Sequence, residues 1–435
     1  MYQGKHVQKK ADTAAPAPEM EESLPAPERR RRQEEAPAAV RSSRPHKRKK
    51  TKKQRWRKAL IILLAVLAVL GSLYGVFVFS NIPVIKKWRT IYIETAMTTM
   101  THQWLATAFI PKSVIDPVLE QMAEDKTSQQ NLVSRWWGST DDDDKTFSDA
   151  KEAFYSEFWE LDRDKFEAWL AKHPDVAKEG YDNLVIDNLD CSDKTLTTSF
   201  GEIIRALNVP DNIIIVQVTG DDFVGSLACV KNSEQLSLAK AKAYGSYGEL
   251  IEDYCKGKVL AVNASGFQDN NGVGNGGDIV GSFVLNGKEC GKPANGYMFF
   301  GFKQDNRMYI SAMASDVSEY KWAMQFSPAL IVNGKSKVQG SYGWGMQPRS
   351  ALGQTKDGEV LLLVVDGRQM GYSLGCTVSD CADILLRHKA YQANNLDGGS
   401  SAIMAYQGKI ITKNSSASSA GRYLPNAFVI SKPSR

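Results

Sequence analysis

Five short segments of the chain carry residue types that site chemistry needs. VNASGF holds Asn263 and Gly266, and MQPRSALGQ holds Arg349. VLLLVVDGR ends in Asp366, Gly367 and Arg368. QANNLDGGSS supplies Asn395, Asp397, Gly398, Gly399, Ser400 and Ser401. GRYLPNAF supplies Arg422 and Asn426. Paired carboxylates are the tools of glycoside hydrolysis, one as acid and one as base or nucleophile. Arginines grip phosphate through bidentate, charge-assisted hydrogen bonds. A substrate with both a glycosidic carbon and a phosphate would use the whole set.

Each segment alone also has a plainer reading. Asp-Gly after a strand is commonly a turn, and an arginine can simply pair with a structural acid. Ser400 and Ser401 lack the GxSxG elbow of a nucleophilic serine. The loop NNGVGNGG is no P-loop, because no Gly-Lys-Ser/Thr follows. His388 lies on a charged helix and reads as a surface residue, which weakens a Ser-His-Asp scheme. Cys376, Cys381 and His388 would leave a zinc site one ligand short, without CxxC spacing. Asp141–Asp144 could attract calcium but lack the glycine and glutamate of a calcium loop, so a solvated loop is favoured. No metal and no cofactor is expected.

Polar groups that follow apolar strands are delivered to one edge of a sheet. The strand-like runs are 213–218, 258–264, 278–287, 329–334, 359–367 and 391–399. Helices are predicted around 234–255 and 378–389, the second with Thr377 as N-cap and Asp380 three residues on. Strands outnumber helices over 196–431, so the fold class is α+β with a sheet-rich domain. Residues 85–135 and 147–180 read as helical. Together 81–195 form a helical, membrane-proximal stretch of undetermined role.

The chain has 435 residues, 43% hydrophobic and 24% charged. That composition excludes wholesale disorder. The net charge of +5 is unevenly spread. Residues 1–58 hold 18 Lys and Arg against 7 Asp and Glu, and everything after is net acidic. A nucleic-acid binder would carry its positive charge on the folded part. The cause of the split is the uncharged run 59–80. At ~1.5 Å per helical residue such a run spans roughly 30 Å, enough to cross a bilayer. Before it, KRKKTKKQRWRK is mostly basic, which keeps the N-terminus cytoplasmic. A cleaved signal peptide would have a shorter apolar stretch and a shorter leader. A buried core helix would need a polar face. Residues 1–58 read as a disordered tail rich in Pro, Ala and charge. The six cysteines all follow the anchor, where disulfides are permitted, but no pairing is implied.

The order of the five motifs resembles the phosphodiester glycosidase family over about residues 200–431. In the first motif Asn263, Gly266 and Phe267 match the family pattern, and Ser265 departs from a glycine. The resemblance implies Asp366 and Asp397 as catalytic residues. It also implies substrate binding by Asn263, Gly266, Arg349, Arg368, Gly398, Gly399, Ser400, Arg422 and Asn426. The expected activity is a membrane-anchored, extracytoplasmic hydrolase cleaving a sugar-1-phosphodiester of a surface or exported glycopolymer. The alternatives are a non-catalytic polysaccharide-binding protein of exopolysaccharide biosynthesis and a glycosyl-phosphate transferase.

Overall fold

The computed structural model describes residues 52–99, 102–136, 149–269, 274–313 and 316–434. The tail 1–51 and the acidic run Asp141–Asp144 lie outside the described residues. The chain divides into two units, Met1–Val66 and Leu67–Arg435. Helix α1 (Lys52–Phe79) contains the uncharged run and is long and apolar enough to cross a membrane. It begins at Lys52, inside the stretch read as tail. Its leucines and isoleucines from Leu60 to Leu73 are exposed.

In the second unit, α2 (Pro83–Met97) starts on Pro83, whose fixed φ suits a first helical position. Arg89 donates to the carbonyls of Val78 (2.8 Å) and Ser80 (2.9 Å), tying α2 to the end of α1. Short α3 (Trp104–Thr107) and α4 (Lys112–Ser128) pack on α2 through Ile93, Ala106, Ile110 and Ile115. Next come α5 (Ala150–Glu157), α6 (Arg163–Leu170) and α7 (Pro174–Ala177). Asp149 and Asp162 cap the first two by accepting from backbone amides of the first turn.

Among the described residues three antiparallel sheets follow. The largest has nine strands, in the order β1 (Val185–Asp187), β2 (Ile203–Asn208), β3 (Ile213–Thr219), β4 (Val224–Val230), β15 (Val360–Val365), β14 (Arg349–Thr355), β16 (Ala390–Asn395), β12 (Ala329–Val332), β13 (Lys335–Ser336). A second runs β10 (Met308–Ser311), β9 (Met298–Lys303), β11 (Tyr320–Phe326), β7 (Ser282–Leu285), β8 (Lys288–Gly291). The third runs β18 (Lys409–Ile410), β17 (Met404–Tyr406), β6 (Leu260–Asn263), β19 (Asn426–Ile430), β5 (Leu236–Lys240).

Both faces of the large sheet are covered, which explains why β3 and β15 read as unbroken apolar runs rather than alternating ones. Ile213, Ile215, Leu362 and Val364 face a core shared with the two smaller sheets. Ile214, Val216, Leu361 and Leu363 face a second core. That second core contains Phe158, Phe166 and Trp169 from the helical stretch. It also contains Val378 and Ile384 of α9 (Val378–Arg387). The capping box expected at the start of α9 is present: Thr377 and Asp380 exchange side-chain-to-backbone bonds.

The structure changes two expectations. The helix expected over 234–255 shrinks to α8 (Ile251–Cys255), because Leu236 and Leu238 alternate inward on β5 and pair with β19. His388 is fully buried, not on the surface. Its Nε2 lies 2.9 Å from Glu202, and its Nδ1 lies 3.8 Å from Cys229 Sγ, so it forms no set with Cys376 and Cys381.

Candidate active site

Strand direction brings the motif ends together. Strand β14 pairs antiparallel with β15 on one side and β16 on the other. Arg349 at its start therefore lies beside the ends of both neighbours, opposite Val365. Asp366 follows β15, and Asp397 follows β16. At this edge a cavity of about 240 Å³ is lined by Arg349, Arg368, Asp397, Gly398, Gly399, Ser400 and Arg422. Seven expected site residues thus share one cavity. Asp366, Asn263, Gly266 and Asn426 are not among its lining residues.

Asp397 has its turn fixed from behind. Its amide donates to Ala264 O at 3.1 Å, and Asn263 Nδ2 donates to its carbonyl at 2.7 Å. Asn263 Oδ1 accepts from Ser350 Oγ (2.7 Å) and Ile403 N (3.1 Å), so this buried amide joins two sheets. Asn426 accepts from Ser265 N and donates to Ser265 Oγ, both at 2.9 Å, and so holds the turn that ends in Gly266. A Cβ on Gly266 would meet Phe326 at 3.0 Å and come 3.8 Å from Asp397 Oδ1. These three residues shape the site from below.

Burial pushes the Asp397 carboxyl up to about 6, against the opposing pull of Ser401, Arg422 and the Gly398 amide. Nearby Asp269 adds to the rise. Gly399 sits in the left-handed region at φ +59, where a Cβ would crowd Arg368 Nη2 at 3.1 Å. A Cβ on Gly398 would meet Pro348 O at 2.7 Å. The Gly-Gly step therefore lets the chain pass between the arginine and β14.

The three arginines differ in freedom. Arg349 is buried, and its Nη2 donates to Trp344 O (2.6 Å) and Gly345 O (2.8 Å), so it stitches the cavity floor. Arg368 is exposed, and its Nη2 donates to Gln347 Oε1 at 3.0 Å. Arg422 pairs with Asp269 at 2.6 Å and lies over the Phe267 ring at 4.5 Å. Arg422 Nη1 is 3.4 Å from Ser400 Oγ.

Asp366 is buried in a different setting. It accepts from Tyr372 OH (3.0 Å) and from the Lys413 amide (2.9 Å), and its carbonyl accepts from Ser373 Oγ at 2.6 Å. Burial raises this carboxyl to about 6 as well. The bonds around Asp366 fold the turn that throws Arg368 into the left-handed region at φ +60. An Arg368 N to Leu374 O bond of 3.1 Å closes that turn.

Several cavity residues are ones that sequence reasoning misses. Asp269 lies in the Gly-rich segment that reads only as a loop. Thr98, Thr99 and His102 come from the end of α2 and the segment after it, and they line the same cavity. Phe267, Phe326, Trp344 and Gln347 complete the wall. Only the run of Gly, Asp and Asn around Asp269 is a usable signal.

The arrangement can do two things. A carboxyl poised near 6 exchanges protons at neutral pH. Guanidinium groups beside it bind an anion and offset charge that develops on it.

Residues 256–431 match the phosphodiester glycosidase (NAGPA) family. The family resemblance read from the motifs therefore holds, with the match beginning at 256 rather than about 200. The SPbeta prophage-derived uncharacterized protein YomE of Bacillus subtilis (strain 168) is 29% identical over 197 residues. That stretch is 41% of this chain and 28% of YomE, so the chain spans under a third of that relative. Among solved structures, the zebrafish N-acetylglucosamine-1-phosphodiester alpha-N-acetylglucosaminidase catalytic domain, auto-inhibited by its pro-peptide, is 20% identical. It aligns over 51% of this chain and 83% of that one, with a TM-score of 0.41. A hypothetical protein from Synechocystis is 14% identical over 52% of this chain and 63% of that one, with a TM-score of 0.42.

Proposed function

We propose that this chain is a membrane-anchored, extracytoplasmic hydrolase that cleaves the bond between a sugar anomeric carbon and a phosphodiester. The observation that carries the reading is the cavity itself. It sets Asp397, raised to about 6, among Arg368, Arg422 and Ser400. The family match over residues 256–431 supports the reaction class. The apolar helix α1 and its basic flank support the anchor, with the tail 1–58 in the cytoplasm and residues from 81 onward outside.

In this scheme Arg368 and Arg422 hold the phosphate. Phosphate neutralised by two guanidinium groups leaves readily, so the greater demand is at the anomeric carbon. Asp397 acts there as general base. A water oxygen bonds to carbon, its proton passes to Asp397, and the C–O electron pair departs on the phosphate monoester. Ser400 and the Gly398–Gly399 backbone position the sugar. Burial makes the ionised Asp397 a stronger base than a solvated carboxylate. Asp366 acts as a positioning residue for Arg368 instead of as the second member of a catalytic pair. Asn263, Gly266, Asn426 and Arg349 support the turns that carry the other groups. Asp269, paired with Arg422, is the second carboxylate of the cavity.

The test offers the full chain, in detergent, a panel of sugar-1-phosphodiesters and measures free sugar. Release that disappears in Asp397→Asn supports the reading. Undiminished release in that variant removes Asp397 from the chemistry. A new conjugate in place of free sugar would show glycosyl-phosphate transfer.

A further inference from the structure

A second cavity adjoins the first, with a volume of about 690 Å³. Small-molecule clefts typically measure roughly 300 to 1000 Å³, so the second cavity has the size of a ligand site. The first, at about 240 Å³, falls below that range. It accommodates little beyond one sugar and its phosphate. Trp344 lines both cavities. Phe326 lines the smaller one, and Tyr297 of the larger stacks on it with ring centroids 5.5 Å apart at 22°. Tyr297 also lies close enough to Asp397 for that charge to help burial raise its hydroxyl pKa. The two cavities are therefore neighbours that share an aromatic wall.

The lining has a particular chemistry. Buried amides build the floor and are already satisfied. Gln129 is bonded to Ala329 in both directions, and Gln325 Oε1 accepts from Ser282 N and Ala294 N. At the rim, the side-chain amides of Gln130, Asn131 and Asn295 are exposed and make no hydrogen bond within the described residues. The Tyr297 hydroxyl and the Trp344 indole N–H are likewise without a partner there. An amide offers a donor and an acceptor together, which suits vicinal hydroxyls. An aromatic face with a polar tip suits the C–H face of a pyranose.

We infer that this second cavity is a glycan subsite, holding one or more further sugar units of a substrate whose scissile phosphodiester lies at Asp397. The inference rests on the glycosidase reading and narrows it from sugar phosphodiesters in general to those carried on an oligosaccharide or polymer. Lys126 and Glu289, one charge of each sign, also line the cavity, so its lining carries no net charge and the occupant is a neutral glycan segment. The phosphate stays with Arg368 and Arg422.

The experiment measures calorimetric binding of maltotriose, chitotriose and laminaritriose to the full chain in detergent. At least one trisaccharide binds the wild type. Its affinity falls tenfold or more in the Gln130→Ala/Asn131→Ala double variant and in Tyr297→Ala, and it persists in Asp397→Asn. The two amides are exposed, so their removal leaves the fold intact. Tyr297→Phe keeps the stacking face and separates loss of the hydroxyl from any folding defect. Absence of binding by all three sugars overturns the subsite, as does binding indifferent to the double variant. Trisaccharide binding without hydrolysis of any phosphodiester keeps the subsite and removes the catalytic reading. Hydrolysis of monosaccharide-1-phosphodiesters without trisaccharide binding does the reverse.

Discussion

Gln347 Nε2 donates to Thr98 Oγ1 at 2.5 Å, across 249 positions of sequence. The bond joins the end of α2 to the loop before β14, and Gln347 Oε1 in turn accepts from Arg368. Met346 N reaches the same helix, donating to Thr95 Oγ1 at 2.9 Å. The helical stretch 81–195, whose role the sequence leaves undetermined, is therefore at this end a wall of the cavity. Thr98→Val should lower kcat/KM by about three- to tenfold, the worth of one partly buried hydrogen bond of about 1 kcal/mol. The effect should appear mainly in KM, because Arg368 loses its orientation toward phosphate. An unchanged KM would detach α2 from the substrate.

In the proposed mechanism the ionisation of Asp397 should set the acid limb of the pH profile. As a base it works ionised, so kcat/KM should fall as pH drops through about 6, tenfold per unit below it. Asp397→Asn should lose about 10²- to 10⁴-fold and flatten that limb. A profile that instead falls as pH rises through 6 would assign Asp397 the acid role.

The same shift weakens the fold. The folded carboxyl holds its proton to about 6, above the ordinary value of 3.8. Between those values the folded state binds more protons than the unfolded one, so stability declines as pH rises from about 4 to 6. The ceiling is about 3 kcal/mol, at roughly 1.4 kcal/mol per unit, and partial exposure to the cavity reduces it. Asp397→Asn should therefore melt above the wild type at pH 7, with the gap closing near pH 4. Thermal scans at the two pH values decide this.

Asp366→Asn separates positioning from chemistry. If Asp366 only shapes the Arg368 turn, kcat/KM should drop tenfold or less, and the acid limb should stay near 6. A loss beyond a hundredfold, together with a lost limb, would restore Asp366 to the catalytic pair.

Lys231 tests the joint between helices and sheet. Its ammonium is buried between Glu160, at 2.6 Å, and Glu359. Glu160 follows α5, so the triad pins the helical stretch to β4 and β15. Burial lifts Glu359 to about 7 even beside that ammonium. Lys231→Met should cost about 3–5 kcal/mol, because two buried carboxyls lose their shared partner. Denaturant titration at pH 7 measures it. An unfolding midpoint that does not move would mean the triad bears little of the joint.

Much of the frame is legible in the sequence because it depends on short-range pattern. The runs behind β3, β15 and β16, the capping box of α9 and the apolar helix α1 are local features. The seven expected residues that line the cavity are also legible: six begin or closely follow a strand of one antiparallel set, and Arg422 shortly precedes β19 of another sheet. What the pattern misses depends on long-range contacts. Asp366 and Asp397 look alike in sequence, each an Asp-Gly after an apolar strand. They differ because Tyr372 and the Lys413 backbone close over the first and leave the second open. Asn263 and Asn426 look like ligand amides, yet their partners are backbone groups and serine hydroxyls, for Asn263 across a sheet boundary. Thr98 carries no signal, since its relevance arises only when α2 docks beside Gln347. The helix expected near 234 is absent because sheet pairing with β19 overrides a helical composition.

The grip of Arg89 on the last carbonyls of α1 makes the joint between α1 and α2 stiff, and α2 ends in the wall of the site. Helix α2 has 15 residues and ends next to Thr98. At ~1.5 Å per residue they form a rigid arm of roughly 22 Å. Any tilt of α2 about that joint is therefore carried to Thr98 and to the Gln347–Arg368 relay that Thr98 holds. A glycine-rich hinge inserted after Ser80 would uncouple the two ends of the arm.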